Sequence, residues 1–200
     1  MHTNVIMPPY GVYRNFLDLA SHAQLLAWAI GNEVKFKPTV VDHGVSNPFI
    51  RRSLSVGNFE PMEFVFRQGI RKMVQVFIRD LRVSPFEPSE LQLELVAHND
   101  GAFYTRHIDT FVANHRQNTD RLLSGVYYFH SEPKAFSGGA LRLYPLFDDG
   151  NEDNFIDIQP EQNTLVVFPS WAPHEVLQIN CPSKRFSNSR FAVNCWLTQD

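Results

Sequence analysis

The stretch Phe103-Tyr104-Thr105-Arg106-His107-Ile108-Asp109 reads as the closing residues of a β-strand. Side chains at i and i+2 of an extended chain leave on the same face. His107 and Asp109 can therefore grip one metal ion, while Ile108 is expected to point into the opposite, apolar side. A second histidine far downstream, His174 in Ala172-Pro173-His174-Glu175-Val176, completes a set of two imidazoles and one carboxylate. Held on one face of an octahedral ion, such a set leaves open positions that suit non-haem Fe(II) and oxygen chemistry. An H-x-D tripeptide also occurs in plain surface turns, so the surrounding chain has to decide.

That surrounding chain is a succession of short alternating or β-branched runs, separated by turn residues. They are Leu91–Val96, Phe103–Ile108, Leu122–Phe129, Ala140–Tyr144, Phe155–Ile158, Thr164–Phe168, Glu175–Ile179 and Arg190–Thr198. Strands at this spacing predict an antiparallel sandwich or barrel. In a double-stranded β-helix, the end of the second run and the start of the seventh face each other across an open mouth. His107, Asp109 and His174 would meet there.

Before Pro88 the pattern is different. Val12–Leu17 reads as a strand or extended lead-in, and Ser21 as the opening of a helix with Gln24 as its capping-box partner. Leu25, Leu26, Trp28, Ala29 and Ile30 supply the buried side of that helix, and Gly31 its stop. Extended pieces follow around Lys35–Val41 and Arg51–Val56, joined by the loop Asp42–Pro48, a candidate cover for the site. Pro61 starts a second helix to about Leu81, with Phe64, Val65, Ile70, Met73, Val74, Phe77 and Leu81 as its apolar residues. Helices first and strands afterwards predict an α+β domain. The expectation is one domain over residues 1–200: helical support and lid segments over 1–88, a jelly-roll core over 89–200. The polar stretches Thr110–Arg121 and Asp148–Asn154 read as irregular.

Composition narrows the function. Apolar residues make up 44% of the 200-residue chain, enough for a core. The formal charge of −3 gives no overall pull toward nucleic acid or an anionic membrane, and the scattered Arg and Lys read as solvated surface. Cys181 and Cys195 lack C-x-x-C spacing, which argues against a disulfide framework or a zinc knuckle. The N-terminal residues show no basic-then-apolar leader and no apolar run is long enough to span a bilayer, so a reducing cytoplasmic setting is expected. The remaining histidines (2, 22, 43, 98, 115 and 130) read by default as surface residues; His98, near the mouth, is also a candidate substrate contact.

The last strand carries a further clue. Arg190, Ala192, Asn194 and Trp196 share one face, and Phe191, Val193, Cys195 and Leu197 the other. An arginine pointing into a barrel is costly unless an anion pairs with it, and a guanidinium holds a carboxylate in bidentate fashion. Tyr128, in Gly125-Val126-Tyr127-Tyr128-Phe129, is placed to add a hydroxyl to the same carboxylate. A solvated arginine and a packed aromatic are the plainer alternatives.

Taken together, these motifs resemble the prolyl 4-hydroxylase-like branch of the Fe(II)- and 2-oxoglutarate-dependent oxygenases. The similar parts are Phe103–Asp109, Gly138-Gly139-Ala140-Leu141-Arg142-Leu143-Tyr144, Leu165-Val166-Val167-Phe168-Pro169-Ser170, Pro173-His174-Glu175-Val176 and Arg190-Phe191-Ala192-Val193-Asn194-Cys195-Trp196. The resemblance covers about Leu91 to the end. It implies that His107, Asp109 and His174 ligate Fe(II), that Arg190 binds the distal carboxylate of 2-oxoglutarate, and that Tyr128 and Tyr104 line the cosubstrate pocket.

Three departures bear on that transfer. The basic residue usually lies about ten positions past the second histidine, so Lys184 or Arg185 competes with Arg190, which would be pushed back by an inserted hairpin loop over Asn180–Ser189. Asn163 stands where a glycine is usual before the Leu165 strand, and it tolerates a left-handed conformation. Ala140 replaces an acidic residue that often follows the paired glycines.

The implied activity is hydroxylation of an unactivated C–H bond, using O2 and releasing succinate and CO2, with ascorbate as a candidate reductant. The substrate is peptidyl, such as a prolyl residue, or a free amino acid or other small molecule. Asp109 favours hydroxylation over halogenation, because related halogenases give up this carboxylate. Alkylated nucleic acid is disfavoured, since the segment Lys184–Arg190 lacks the R-x-N-x-x-x-x-x-R pattern of the repair branch and the chain is slightly acidic. The rival from another class is a non-catalytic, cupin-like metal-binding module, which would have no need of an inward arginine.

Overall fold

The computed structural model describes residues 5–40, 47–110, 120–147 and 154–199. Most of the loop expected over Asp42–Pro48 and of the stretches Thr110–Arg121 and Asp148–Asn154 lies outside the described residues. In chain order the elements are β1 (Gly11–Arg14), α1 (Leu19–Gly31), β2 (Lys37–Pro38), β3 (Arg51–Arg52), β4 (Leu54–Val56) and α2 (Met62–Leu81). There follow β5 (Glu90–His98), β6 (Phe103–His107), β7 (Asp120–Phe129), β8 (Ser137–Gly138), β9 (Leu141–Leu143) and β10 (Ile156–Ile158). The last are β11 (Thr164–Pro169), β12 (His174–Val176), β13 (Ile179–Asn180) and β14 (Arg190–Gln199).

The strands form a seven-stranded sheet in the order β1-β11-β7-β14-β5-β4-β2 and a five-stranded sheet in the order β10-β9-β12-β6-β3. Their pairings are antiparallel. This is the double-stranded β-helix expected from the turn spacing. The first 88 residues do more than buttress it, because β1, β2 and β4 join the large sheet and β3 the small one. The expected run Glu175–Ile179 splits in two: β12 stays in the small sheet while β13 pairs with β8. The segment from Asn180 to Ser189 is therefore not a hairpin, since the strands flanking it pair with different partners.

Side-chain parity along β14 separates two cores. Phe191, Val193, Cys195 and Leu197 join Leu91, Leu95, Ala97, Tyr127 and Phe129 on the outer face of the large sheet, where both helices cover them. Ala192 faces the other way and packs with Tyr128, Val166 and Phe168 against Leu141, Leu143 and Ile158 of the small sheet.

The helices differ in detail from the sequence reading. Asp18, not Ser21, caps α1: its Oδ1 accepts from the Ser21 backbone N–H at 2.9 Å and its Oδ2 from the Ser21 hydroxyl at 2.7 Å. An aspartate ahead of the first turn outcompetes a serine inside it, because only the former has a side chain free of helical geometry. On α2 the buried residues are Met62, Phe66, Ile70, Val74, Phe77, Ile78 and Leu81, whereas Phe64 is exposed. Two residues is about 200° around a helix, so Phe64 lies on the far side from Phe66. Burying side chains such as Phe66 and Ile70 stabilises by about 1.5–3 kcal/mol each, which fixes the rotation of the helix.

Three histidines expected at the surface, His22, His98 and His130, are buried instead. His22 Nδ1 lies 2.7 Å from the Tyr127 hydroxyl, which donates to Asn163 Oδ1 at 2.9 Å. Asn163 does adopt positive φ (50°), and its amide also ties down Leu17 through N–H and C=O. Both cysteines are free and buried. No helix among the described residues is long and apolar enough to cross a membrane.

Candidate active site

His107 closes β6 and His174 opens β12, and the two are direct cross-strand partners in the small sheet. Asp109 sits just past the end of β6, where its backbone N–H donates to Ser170 C=O at 2.8 Å. That bond, rather than continued strand geometry, turns the carboxylate toward the histidines. Ile108 correspondingly does not enter an apolar side and is 39% exposed.

The ligand atoms of the three residues all lie within 4.8 Å of one another. Asp109 Oδ1 is 3.7 Å from His107 Nε2, and Oδ2 is 3.6 Å from His174 Nε2. Both Nδ1 atoms are taken by backbone carbonyls, His107 by Thr105 at 2.7 Å and His174 by Ala172 at 2.9 Å. A carbonyl only accepts, so each Nδ1 carries the proton and each Nε2 offers its lone pair.

Around this set the packing is tight. Tyr104 stacks on His107 with ring centroids 3.6 Å apart, and Phe168 meets His174 edge-on at 4.7 Å. Asp109 Oδ2 also accepts from the Ser124 hydroxyl at 2.7 Å, and Ser124 in turn lies 2.9 Å from Ser170 Oγ. Burial and the neighbouring His174 push the His107 imidazole down to about 4, which keeps it neutral. Burial alone would raise the Asp109 carboxyl, but the two imidazoles, Ser124 and the Trp196 indole outweigh it and hold it below the usual range. Two imidazoles, each with its Nδ1 tied to a backbone carbonyl, and one carboxylate close to both Nε2 atoms are a fitting donor set for a ferrous ion.

A cavity of about 470 Å³ opens from these three residues and runs along the inner face of the large sheet to His98 and Arg190. Arg190 starts β14, directly opposite His98 on β5. It is 1% exposed. Gly139 makes room for it: a Cβ there would lie 2.8 Å from Arg190 Cδ, and Gly139 has positive φ besides. Arg190 Nη1 lies 3.2 Å from His98 Nδ1, while its Nε and Nη2 have no hydrogen-bond partner among the described residues. The Tyr128 ring sits 4.7 Å from the guanidinium carbon, and its hydroxyl is likewise unpartnered among the described residues. Burial raises the Tyr128 pKa against the opposing pull of Arg190. Lys184 is mostly exposed and reaches Asp100 at 3.7 Å, and Arg185 is exposed; neither lines the cavity.

Sequence reading missed a second group of lining residues. Arg51, taken as solvated surface, is buried: its Nη2 meets Glu94 Oε2 at 2.8 Å, and its guanidinium lies 5.0 Å from the Tyr104 ring. Asn194 donates to the same Glu94 oxygen at 3.4 Å. Arg121 holds Gln92 Oε1 through Nε and Nη2 at 3.0 and 2.9 Å and stacks 4.0 Å from the Trp196 ring. Parity along β5 was the available signal, because Gln92, Glu94, Val96 and His98 share the face opposite Leu91, Leu95 and Ala97.

The sequence and fold comparisons give the chain a family. Residues 93–198 match the family described as the 2OG-Fe(II) oxygenase superfamily. The chain belongs to that superfamily. It is 34% identical over 195 residues to an uncharacterised PKHD-type hydroxylase of Synechocystis, an alignment covering 94% of this chain. The chain spans only 62% of that relative's length. In fold it is similar to a prolyl-4-hydroxylase of Pseudomonas putida (TM-score 0.69, 22% identity, 96% of this chain and 94% of that one). It is similar too to a Trichoplax adhaerens prolyl hydroxylase solved with a hypoxia inducible factor peptide (TM-score 0.68, 22% identity, 95% and 83% covered).

Proposed function

We propose that the chain is an Fe(II)- and 2-oxoglutarate-dependent dioxygenase that hydroxylates an unactivated C–H bond of a prolyl, amino-acid-like or other small substrate. His107, Asp109 and His174 would hold the metal, Arg190 the distal carboxylate of 2-oxoglutarate, and Tyr104 and Tyr128 the walls around it. The bound ferrous ion would supply oxygen activation coupled to oxidation of 2-oxoglutarate to succinate and CO2. The observation that carries this reading is the buried guanidinium of Arg190, half of it without a partner among the described residues, in the same cavity as the triad. An uncompensated buried cation is retained at a cost in stability, and a metal-holding module without a dicarboxylate cosubstrate has no use for it.

The chain's own residues divide the remaining work. Asp109 keeps the third protein ligand in place, which favours return of a hydroxyl over capture of a halide. Tyr104 packs against His107 and holds the ring's plane, and Phe168 excludes water from the far side of His174. Arg51, Glu94, Asn194, Arg121 and Trp196 form a polar and aromatic wall suited to orienting a substrate that carries both charge and apolar surface.

The test is an anaerobic titration of the Fe(II)-loaded protein with 2-oxoglutarate, read by the weak visible absorption that arises only when both are bound. Appearance of the band supports the oxygenase and licenses a substrate screen by succinate release. Iron binding without the band would instead indicate a cupin-like module.

A further inference from the structure

His98 lies beside Arg190 among the residues that line the cavity and is 3% exposed. Burial, then the cations Arg190 and Arg51, drive its pKa well below that of a free imidazole, so the ring is neutral. A neutral imidazole has one nitrogen that donates and one that accepts. Its Nδ1 is 3.2 Å from Arg190 Nη1, which can only donate. The acceptor is therefore Nδ1, and the proton must sit on Nε2. That N–H is buried and has no partner among the described residues.

This end of the cavity thus presents buried donors without a hydrogen-bond partner among the described residues, His98 Nε2–H together with the Nε–H and Nη2–H of Arg190, with the Tyr128 ring 4.7 Å from the guanidinium. Groups that only donate call for a ligand group that only accepts, and an ionised carboxylate, with about four lone-pair sites, is such a group. From this we infer that His98 is a third cosubstrate-binding residue, donating from Nε2 to the carboxylate that Arg190 holds while its Nδ1 fixes the orientation of the guanidinium. The inference rests on the reading of Arg190 as the 2-oxoglutarate residue. It adds that selection for a dicarboxylate is shared between a cation and a neutral ring, so a ligand lacking the distal carboxylate gains nothing from His98.

Isothermal titration of the Mn(II)-loaded protein with 2-oxoglutarate, and in parallel with 2-oxobutyrate, tests this. His98→Phe should weaken 2-oxoglutarate binding roughly 10- to 100-fold, the range of one hydrogen bond to a charged group, and leave 2-oxobutyrate binding unchanged. His98→Gln, whose amide nitrogen reaches the place of Nε2, should recover most of the affinity. His98→Asn, which reaches only Arg190, should not. Equal weakening of both ligands by His98→Phe, or equal affinity in the Gln and Asn variants, would overturn the inference in favour of a packing role. Wild-type affinity in His98→Phe alongside a large loss in Arg190→Ala would remove His98 alone. No loss in either variant would remove the parent reading as well. If His98→Phe does not fold, the Gln and Asn pair decides.

Discussion

At the His107–Asp109–His174 end of the cavity, the polar atoms turned away from the shared point are tied off within the protein. Both Nδ1 atoms meet backbone carbonyls, and Asp109 is held by Ser124 and by the carbonyl of Ser170 through its own N–H. At the Arg190 end the reverse holds, and four buried polar atoms on Arg190, His98 and Tyr128 are left without partners among the described residues. The first end is already ordered by the protein itself, so a metal would meet donor atoms aimed at it and little reorganisation would be needed. The second would be completed by a ligand, and a buried charge with no partner among the described residues detracts from the stability of the ligand-free fold. One cavity therefore joins a site built for geometry to a site built for demand.

The largest effect should come from removing a finished ligand. His174→Ala should lose Fe(II) binding and drop succinate formation to background, a bigger loss than the roughly 10- to 100-fold typical of an outer partner. Circular dichroism should show the fold intact, and normal succinate formation in this variant would sink the assignment of the triad.

Next comes the open end, where binding and stability should part company. Arg190→Ala should weaken 2-oxoglutarate binding by about 2–5 kcal/mol, whereas Lys184→Ala should change it by less than about 0.5 kcal/mol. Arg190→Met, which keeps volume without charge, should leave the ligand-free protein as stable or up to about 4 kcal/mol more stable in urea. A clear drop in ligand-free stability would mean that this end is satisfied after all.

The smallest effect concerns the outer support of the metal end. Ser124→Ala should reduce metal affinity roughly 10- to 100-fold by freeing the Asp109 carboxylate, without changing the affinity of the metal-loaded protein for 2-oxoglutarate by more than about twofold. Parallel losses at both ends would show that the two are not independent.

How far the sequence could anticipate this differs from residue to residue. His107, Asp109 and His174 were readable as a candidate set only from the succession of strands around them, since H-x-D alone is weak, and Asp109 reaches the histidines by leaving the strand rather than by its parity. The face that Arg190 shares with Ala192 and Asn194 was readable from parity, but a solvated arginine was the plainer reading of it, and the preference for Arg190 over Lys184 and Arg185 came from the family resemblance. The Arg51–Glu94 and Arg121–Trp196 pairs were not legible. Their partners are 43 and 75 positions apart, and β3 is too short to show a period. Phe64 and Phe66 were indistinguishable by hydrophobicity; only the rotation of α2 against the sheet chooses between them. The Asp18 cap was missed because a serine with a glutamine three residues on imitates the same signal.

Arg190 and His174 also belong to strands of very different security. β14 is a ten-residue strand paired along nearly its whole length with β5 on one side and β7 on the other, in the middle of the large sheet. β12 has three residues and a register shift against β6. Amide protons from Phe191 to Leu197 should accordingly exchange only with global unfolding, whereas those around His174–Val176 open locally. A bound metal would then act as a clasp on the looser wall, and its arrival should register as slowed exchange in β12 long before any change is felt in β14.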